Sequence, residues 1–170
     1  MKTFILVMDG MSGAGKTTVT KLLLDKLPRT AHIGMDRIKK FISDFERGTI
    51  DNAIAREVTA VMARKYLDLG LSIIVDQPFK ADDEVTAYNR MALDCAVPCY
   101  KFQLYADPDI ALQRVIERTK ANHGDLTEER AKRNISLFKP RADLGFEMID
   151  TTDLKPEMAA KKILEKISHE

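Results

Sequence analysis

Residues Gly10–Thr17 read G-M-S-G-A-G-K-T and satisfy G-x-x-x-x-G-K-[ST] at every fixed position. No other stretch restricts the fold as much, because the motif works only where a buried strand runs into a helix. Both flanks comply. Thr3–Met8 (TFILVM) is a continuous apolar run of the kind expected for a strand buried on both faces of a parallel sheet. Beyond the motif, Val19, Leu22, Leu23 and Leu27 mark one side of a helix that Pro28 stops. Glycines let such a backbone curl so that successive N–H groups point inward, and the helix start adds partial positive charge. The segment is a site for a nucleoside triphosphate. Gly10, Ser12, Gly13, Ala14 and Gly15 form the cradle, Lys16 reaches the β- and γ-phosphates, Thr17 is placed to ligate Mg²⁺, and Thr18 is a further phosphate donor.

The remaining chain alternates strand and helix. Strands are expected at Thr30–Met35, Leu71–Val75, Tyr100–Tyr105 and Phe146–Ile149. Helices are expected at Asp36–Phe45, Ala81–Ala96, Thr127–Phe138 and Pro156–Ile167, with another opened by Asp107-Pro108. Ile54, Val58, Val61, Met62, Tyr66 and Leu69 define the apolar face of one long helix ending at Gly70. Thr119–Asp125 (TKANHGD) interrupts the pattern and reads as a lid within one domain spanning residues 1–170. Strands joined by helices pair in parallel through right-handed crossovers, which gives a three-layer α/β/α sandwich.

Composition narrows the partners. Lys plus Arg number 27 and Asp plus Glu 26, a net charge of +1, so the chain is no strongly basic nucleic-acid coat. No apolar run approaches the roughly 18 residues of a membrane span, and a cytoplasmic protein with no membrane or obligate protein partner is expected. Cys95 and Cys99 form a lone C-x3-C without a second ligand pair, and read as reduced thiols on one helix. His32, His123 and His169 are scattered, with no His–carboxylate set among them.

The use of the triphosphate is constrained by what accompanies the loop. The guanine-reading N-K-x-D and the D-x-x-G of GTPases do not occur at suitable places. The strand Leu71–Val75 runs into Asp76-Gln77-Pro78, with no glutamate to polarise water. Transfer to an acceptor other than water is therefore favoured over hydrolysis. Arg114 and Arg118 lie four apart on one helix and project from one face toward the break at Thr119.

In this combination the chain resembles the small P-loop kinases, and within them the polynucleotide-kinase-like group that includes chloramphenicol-phosphotransferase-like and zeta-toxin-like enzymes. The shared features are the loop, an Asp after the second strand, an Asp ending the third, an arginine-bearing helix before a lid, and Ile149-Asp150-Thr151 near the end. The resemblance implies a parallel five-stranded sheet of order 2-3-1-4-5, with ATP and Mg²⁺ as cofactors. It implies that Asp36 is the general base, with a helix N-cap as its plainer alternative. It gives Asp76 a role in holding a Mg²⁺-bound water or the acceptor, against a turn-capping alternative, with Gln77 and Lys80 as weaker acceptor contacts. Arg118 and Arg114 would stabilise charge on the transferred group, and Arg130 and Arg133 are further lid contacts. The Ile149–Thr152 stretch resembles the adenine-side loop, where backbone rather than the Asp150 or Thr152 side chain reads the base.

The acceptor stays open between two kinds. One is a small molecule, such as a nucleoside, sugar, antibiotic or other metabolite. The other is a polynucleotide 5′-hydroxyl. Polynucleotide kinases carry an arginine three residues after the catalytic Asp, where this chain has Lys39, which keeps the charge but loses the bidentate fork. A Gly-Gly run is absent from the chain, which argues against a shikimate-kinase-like acceptor site. Residues Arg37–Met62 are the expected acceptor surface. A nucleotide-dependent switch or ATPase without an acceptor is the remaining alternative, and it would have no use for Asp36 as a base.

Overall fold

A computed structural model describes residues 2–46, 49–77, 79, 81–122 and 127–168. Lys80, His123, His169 and residues 123–125 of the expected lid lie outside these. The strands are β1 (Ile5–Gly10), β2 (Thr30–Gly34), β3 (Ser72–Asp76), β4 (Cys99–Tyr105) and β5 (Glu147–Asp150). The helices are α1 (Lys16–Leu24), α2 (Met35–Lys39), α3 (Thr49–Asp68), α4 (Asp82–Asp94), α5 (Pro108–Asn122), α6 (Glu128–Ser136) and α7 (Pro156–Ser168), with a 3-10 turn at Ala142–Leu144. The sheet order is β2-β3-β1-β4-β5, the expected 2-3-1-4-5. The pairs β1–β3, β2–β3 and β4–β5 are all parallel. This is the P-loop α/β kinase fold.

By its contacts the chain divides into two compact units, residues 1–8 with 24–100, and residues 9–23 with 101–170. In the first, Ile5–Met8 pair with Ile73–Asp76, and all of these except Asp76 are fully buried. Phe4 donates its N–H to Ser72 Oγ and meets the Tyr100 ring edge-on. Helix α2 rests on α3 through Met35, Ile38, Ala55 and Met62.

The inner face of α3 differs from the expected one. Ala55, Thr59, Ala63 and Leu67 are buried, whereas Ile54, Val58, Val61 and Leu69 are exposed. Small side chains let α2 and the strands come close, and Thr59 Oγ1 satisfies itself on Ala55 O at 2.6 Å. Close approach, rather than side-chain size, selects the face. Helix α2 also stops at Lys39, short of the expected Phe45. Cys95 caps the end of α4 and Cys99 opens β4, so the two cysteines do not share a helix.

In the second unit, α5 begins as expected. Asp107 Oδ1 accepts from the N–H groups of Asp109 and Ile110, and Pro108 takes the first helical position. The helix continues to Asn122, so residues 119–122 of the expected lid are its last turn. Thr127 Oγ1 accepts from Arg130 N and caps α6, as its sequence indicates.

Candidate active site

The loop after β1 owes its shape to two close backbone approaches within the second unit. Gly10 has φ +146°, and a Cβ there would land on the Leu104 carbonyl of β4. Met11 N donates to the same Leu104 O at 2.9 Å. Gly13 has φ +84°, and its Cβ would land on the Ala111 carbonyl of α5. Only glycine satisfies both the sign of φ and the lack of room. Lys16 Nζ donates to Gly10 O at 2.9 Å, which folds the ammonium over the loop.

Gly13, Ala14, Gly15 and Thr18 line a cavity of about 310 Å³ together with Val19, Arg114, Arg118, Thr151, Leu154 and Pro156. That volume suits a small ligand. The lining combines loop backbone at Gly13–Gly15 and two arginines with the apolar Leu154 and Pro156. The residues present therefore fit a nucleotide. Among the described residues no group of three or more His, Cys, Asp or Glu could hold a metal ion alone. Magnesium carried on nucleotide phosphates asks for less, and the exposed Thr17 hydroxyl fits as one ligand.

Arg114 and Arg118 both reach this cavity, as their spacing predicts. Arg114 has a further task. Its Nη2 donates to Thr151 O at 2.9 Å and Thr152 O at 2.8 Å, which ties the loop after β5 to α5. Thr151 completes the connection, donating Oγ1 toward Ala14 O at 3.1 Å and Tyr105 O at 2.9 Å. Asp150 Oδ1 accepts from both the N–H and the hydroxyl of Thr152, and these bonds lower its carboxyl pKa. Sequence reasoning placed this loop on the adenine side but missed Thr151 as its anchor on the phosphate-binding loop.

It also missed a buried polar set directly before the loop. Asp9 Oδ2 accepts from Gln103 Nε2 at 2.9 Å and lies 3.4 Å from Arg141 Nε. Gln103 Oε1 accepts from Arg141 N at 2.8 Å. The only hint in the sequence is a carboxylate closing an apolar strand.

The first unit holds the acceptor-side candidates. Asp36 is the second residue of α2, whose N-cap is Gly34, so it is not the cap. Its side chain is 81% exposed, with Lys39 Nζ 3.3 Å from Oδ1. Lys39, by contrast, is 13% exposed and lies 5.5 Å from the centre of the Phe45 ring. Asp76 closes β3 beside His32, Nε2 to Oδ2 3.7 Å. The histidines are therefore not all remote from carboxylates. Helices α3 and α4 are joined by Arg56 and Glu84 at 3.1 Å.

A family model described as an AAA domain matches residues 5–141, from the first residue of β1 to Arg141. The chain belongs to this AAA domain family. The matched AAA domain takes in the loop, Asp36, Asp76, Arg114 and Arg118. An Enterococcus faecalis protein named shikimate kinase is 27% identical over 180 residues, covering 95% of this chain and 97% of the relative. A sugar kinase from Janibacter has the same fold, with a TM-score of 0.72 at 18% identity, covering 98% and 95% of the two chains. So does an APS kinase of Mycobacterium tuberculosis solved with AMPPNP and APS, with a TM-score of 0.70 at 14% identity and 98% of each chain covered. The relative and these neighbours are kinases, and this AAA domain carries the phosphate-binding loop and fold of a phosphotransferase. No described helix is long and apolar enough to cross a membrane.

Proposed function

We propose that the protein is an ATP-dependent kinase that phosphorylates a hydroxyl of a small molecule. The carrying observation is the cavity in which Gly13–Gly15 and Thr18 meet Arg114, Arg118 and the Thr151–Pro156 loop. Bound nucleotide supplies the γ-phosphoryl group, and Mg²⁺ on its phosphates offsets their charge. Lys16 and the loop N–H groups would hold the phosphates, and the Thr17 hydroxyl would supply one ligand to Mg²⁺. Arg118, exposed at its helix position, reaches toward the transferred group, while Arg114 also holds the base-side loop. Asp36 takes the acceptor hydroxyl's proton as that oxygen bonds to the γ-phosphorus and the bond from phosphorus to the β–γ bridging oxygen breaks, with ADP leaving; its exposure leaves it accessible. Asp76 orients the acceptor or a Mg²⁺-bound water.

The relative named shikimate kinase supports a small hydroxyl compound as acceptor, as do the sugar and APS kinase neighbours. Lys39, held by Asp36 and the Phe45 ring, is poorly placed to serve as a free clamp for a polynucleotide phosphate. The test is a transfer screen with γ-labelled ATP against nucleosides, sugars, antibiotics and 5′-hydroxyl oligonucleotides. Label should move to one small-molecule hydroxyl. Hydrolysis at one rate with every acceptor present or absent would overturn the kinase reading, and transfer to oligonucleotides alone would overturn the small-molecule one.

A further inference from the structure

Strand pairing joins two residues that the sequence keeps far apart. In the parallel register of β2 and β3, His32 is opposite Ile74 and Gly34 is opposite Asp76. Side chains alternate across a strand, so His32, Gly34, Ile74 and Asp76 share one face. Gly34 has no side chain, and the His32 imidazole meets the Asp76 carboxylate across that gap. A Cβ at Gly34 would stand 3.7 Å from His32 Nε2 and 3.6 Å from Asp76 O, within the same space.

The contact is covered from solvent, with side-chain exposures of 12% and 14%. His32 Nε2 is buried and has no hydrogen-bond partner among the described residues. Its facing polar atom is Asp76 Oδ2, at 3.7 Å. A bare lone pair on Nε2 would oppose carboxylate oxygens, and a proton on Nε2 converts that repulsion into attraction. The partner of a ring nitrogen determines which tautomer is held. The separation exceeds the roughly 2.7–3.2 Å of a made hydrogen bond, and catalytic hydrogen bonds are often long until the substrate complex forms.

We propose that His32 is the positioning residue for Asp76. Nε2–H is directed at Oδ2 and fixes the carboxylate rotamer. The other carboxylate oxygen is left to accept from the acceptor hydroxyl or a Mg²⁺-bound water. What Asp76 then does rests on the kinase reading; the His32–Asp76 contact does not.

The test uses the full chain labelled with ¹⁵N-histidine, with the His32 signal assigned by its loss in His32→Gln. At about pH 8, above the usual histidine pKa, His32 Nε2 should show the proton-bearing shift. Asp76→Asn should move it toward the tautomer mixture of free imidazole, and Asp76→Ala replaces that variant if it does not fold. An unprotonated Nε2, or a shift indifferent to Asp76, overturns the proposal. With the acceptor found by the transfer screen, His32→Leu should lower kcat about 10- to 100-fold, the scale seen when an orienting partner is lost. The KM for ATP should not change. His32→Gln retains an N–H donor and should restore most of kcat, and equal losses in the two variants would also overturn the proposal. A screen that finds no acceptor counts against the kinase reading and leaves the tautomer measurement to decide the role of His32.

Discussion

Asp9→Asn replaces a charge without changing size, at the most buried carboxylate described in the second unit. Asp9 is 5% exposed, Arg141 8% and Gln103 1%. The substitution removes the carboxylate charge 3.4 Å from the Arg141 guanidinium, and it removes the acceptor of Gln103 Nε2 at 2.9 Å wherever the new amide turns NH₂ toward it. Removing one partner of a buried ion pair costs about 3–5 kcal/mol. For a chain of this size each kcal/mol lowers Tm by about 2–4 °C, so the fall should be about 6–20 °C.

The assay is calorimetric melting of wild type, Asp9→Asn, Asp9→Leu, Arg141→Met and the Asp9→Leu/Arg141→Met pair. Gln103 keeps bonds to Lys139 O and Arg141 N in all of them, so the cycle isolates the charges. Replacing a whole buried pair by apolar groups is often close to neutral. The double variant should therefore lose far less than the sum of the singles. Asp9→Asn melting within about 2 °C of wild type, less than about 1 kcal/mol, would refute the reasoning, and so would strict additivity.

Lys16→Ala should melt near wild type without nucleotide and lose most of the ATP-induced rise in Tm, because its ammonium serves the loop rather than the core. Gly13→Ala should abolish nucleotide binding, since its Cβ meets the Ala111 carbonyl. Gly15→Ala, at φ +85° in open space, should cost only about 1–2 kcal/mol of backbone strain, read from denaturant melts. Asp36→Asn should leave Tm and ATP affinity unchanged and lower kcat about 10²- to 10⁴-fold, as measured by transfer to the identified acceptor. Asp150→Ala should lower Tm at neutral pH. The depressed pKa of Asp150 means its contribution is complete above the ordinary 3.8 and is lost as pH falls through the lowered value, so the Tm gap should close only below pH 3.8.

What the sequence made legible was local. The phosphate-binding loop could be read because strand, glycines, lysine and helix are contiguous, and Asp107-Pro108 and Thr127 opened their helices for the same reason. The sheet order followed from a resemblance resting on motif order. Features set by long-range contact were not legible. On α3, Ile54 and Ala55 are neighbours in sequence, and only the closeness of α2 shows that Ala55 faces inward. For Asp36 the sequence leaves a helix cap as the alternative, because Asp before a helical stretch often caps it. Gly34 and Met35 start the helix earlier and move Asp36 into its first turn. Thr151 became an anchor only through its bonds to Ala14 and Tyr105.

Three carboxylates at or beyond the carboxyl ends of strands show how partners separate structural acids from chemical ones. Asp9 is buried, and its Oδ2 is supplied with an amide and a guanidinium from its own chain, which suits a structural acid. Asp36 lies at the other extreme, 81% exposed beside a covered lysine, which suits a group that must meet a substrate and change protonation. Asp76 is intermediate. It is nearly as covered as Asp9, yet the imidazole nitrogen facing it stands 3.7 Å away with no hydrogen-bond partner among the described residues. A buried polar pair with its hydrogen bond unmade is unfavourable in itself. Such a cost is tolerated where a ligand completes the set, which is the reasoning behind the proposed pairing of Asp76 with His32 and the reason the tautomer measurement tests it.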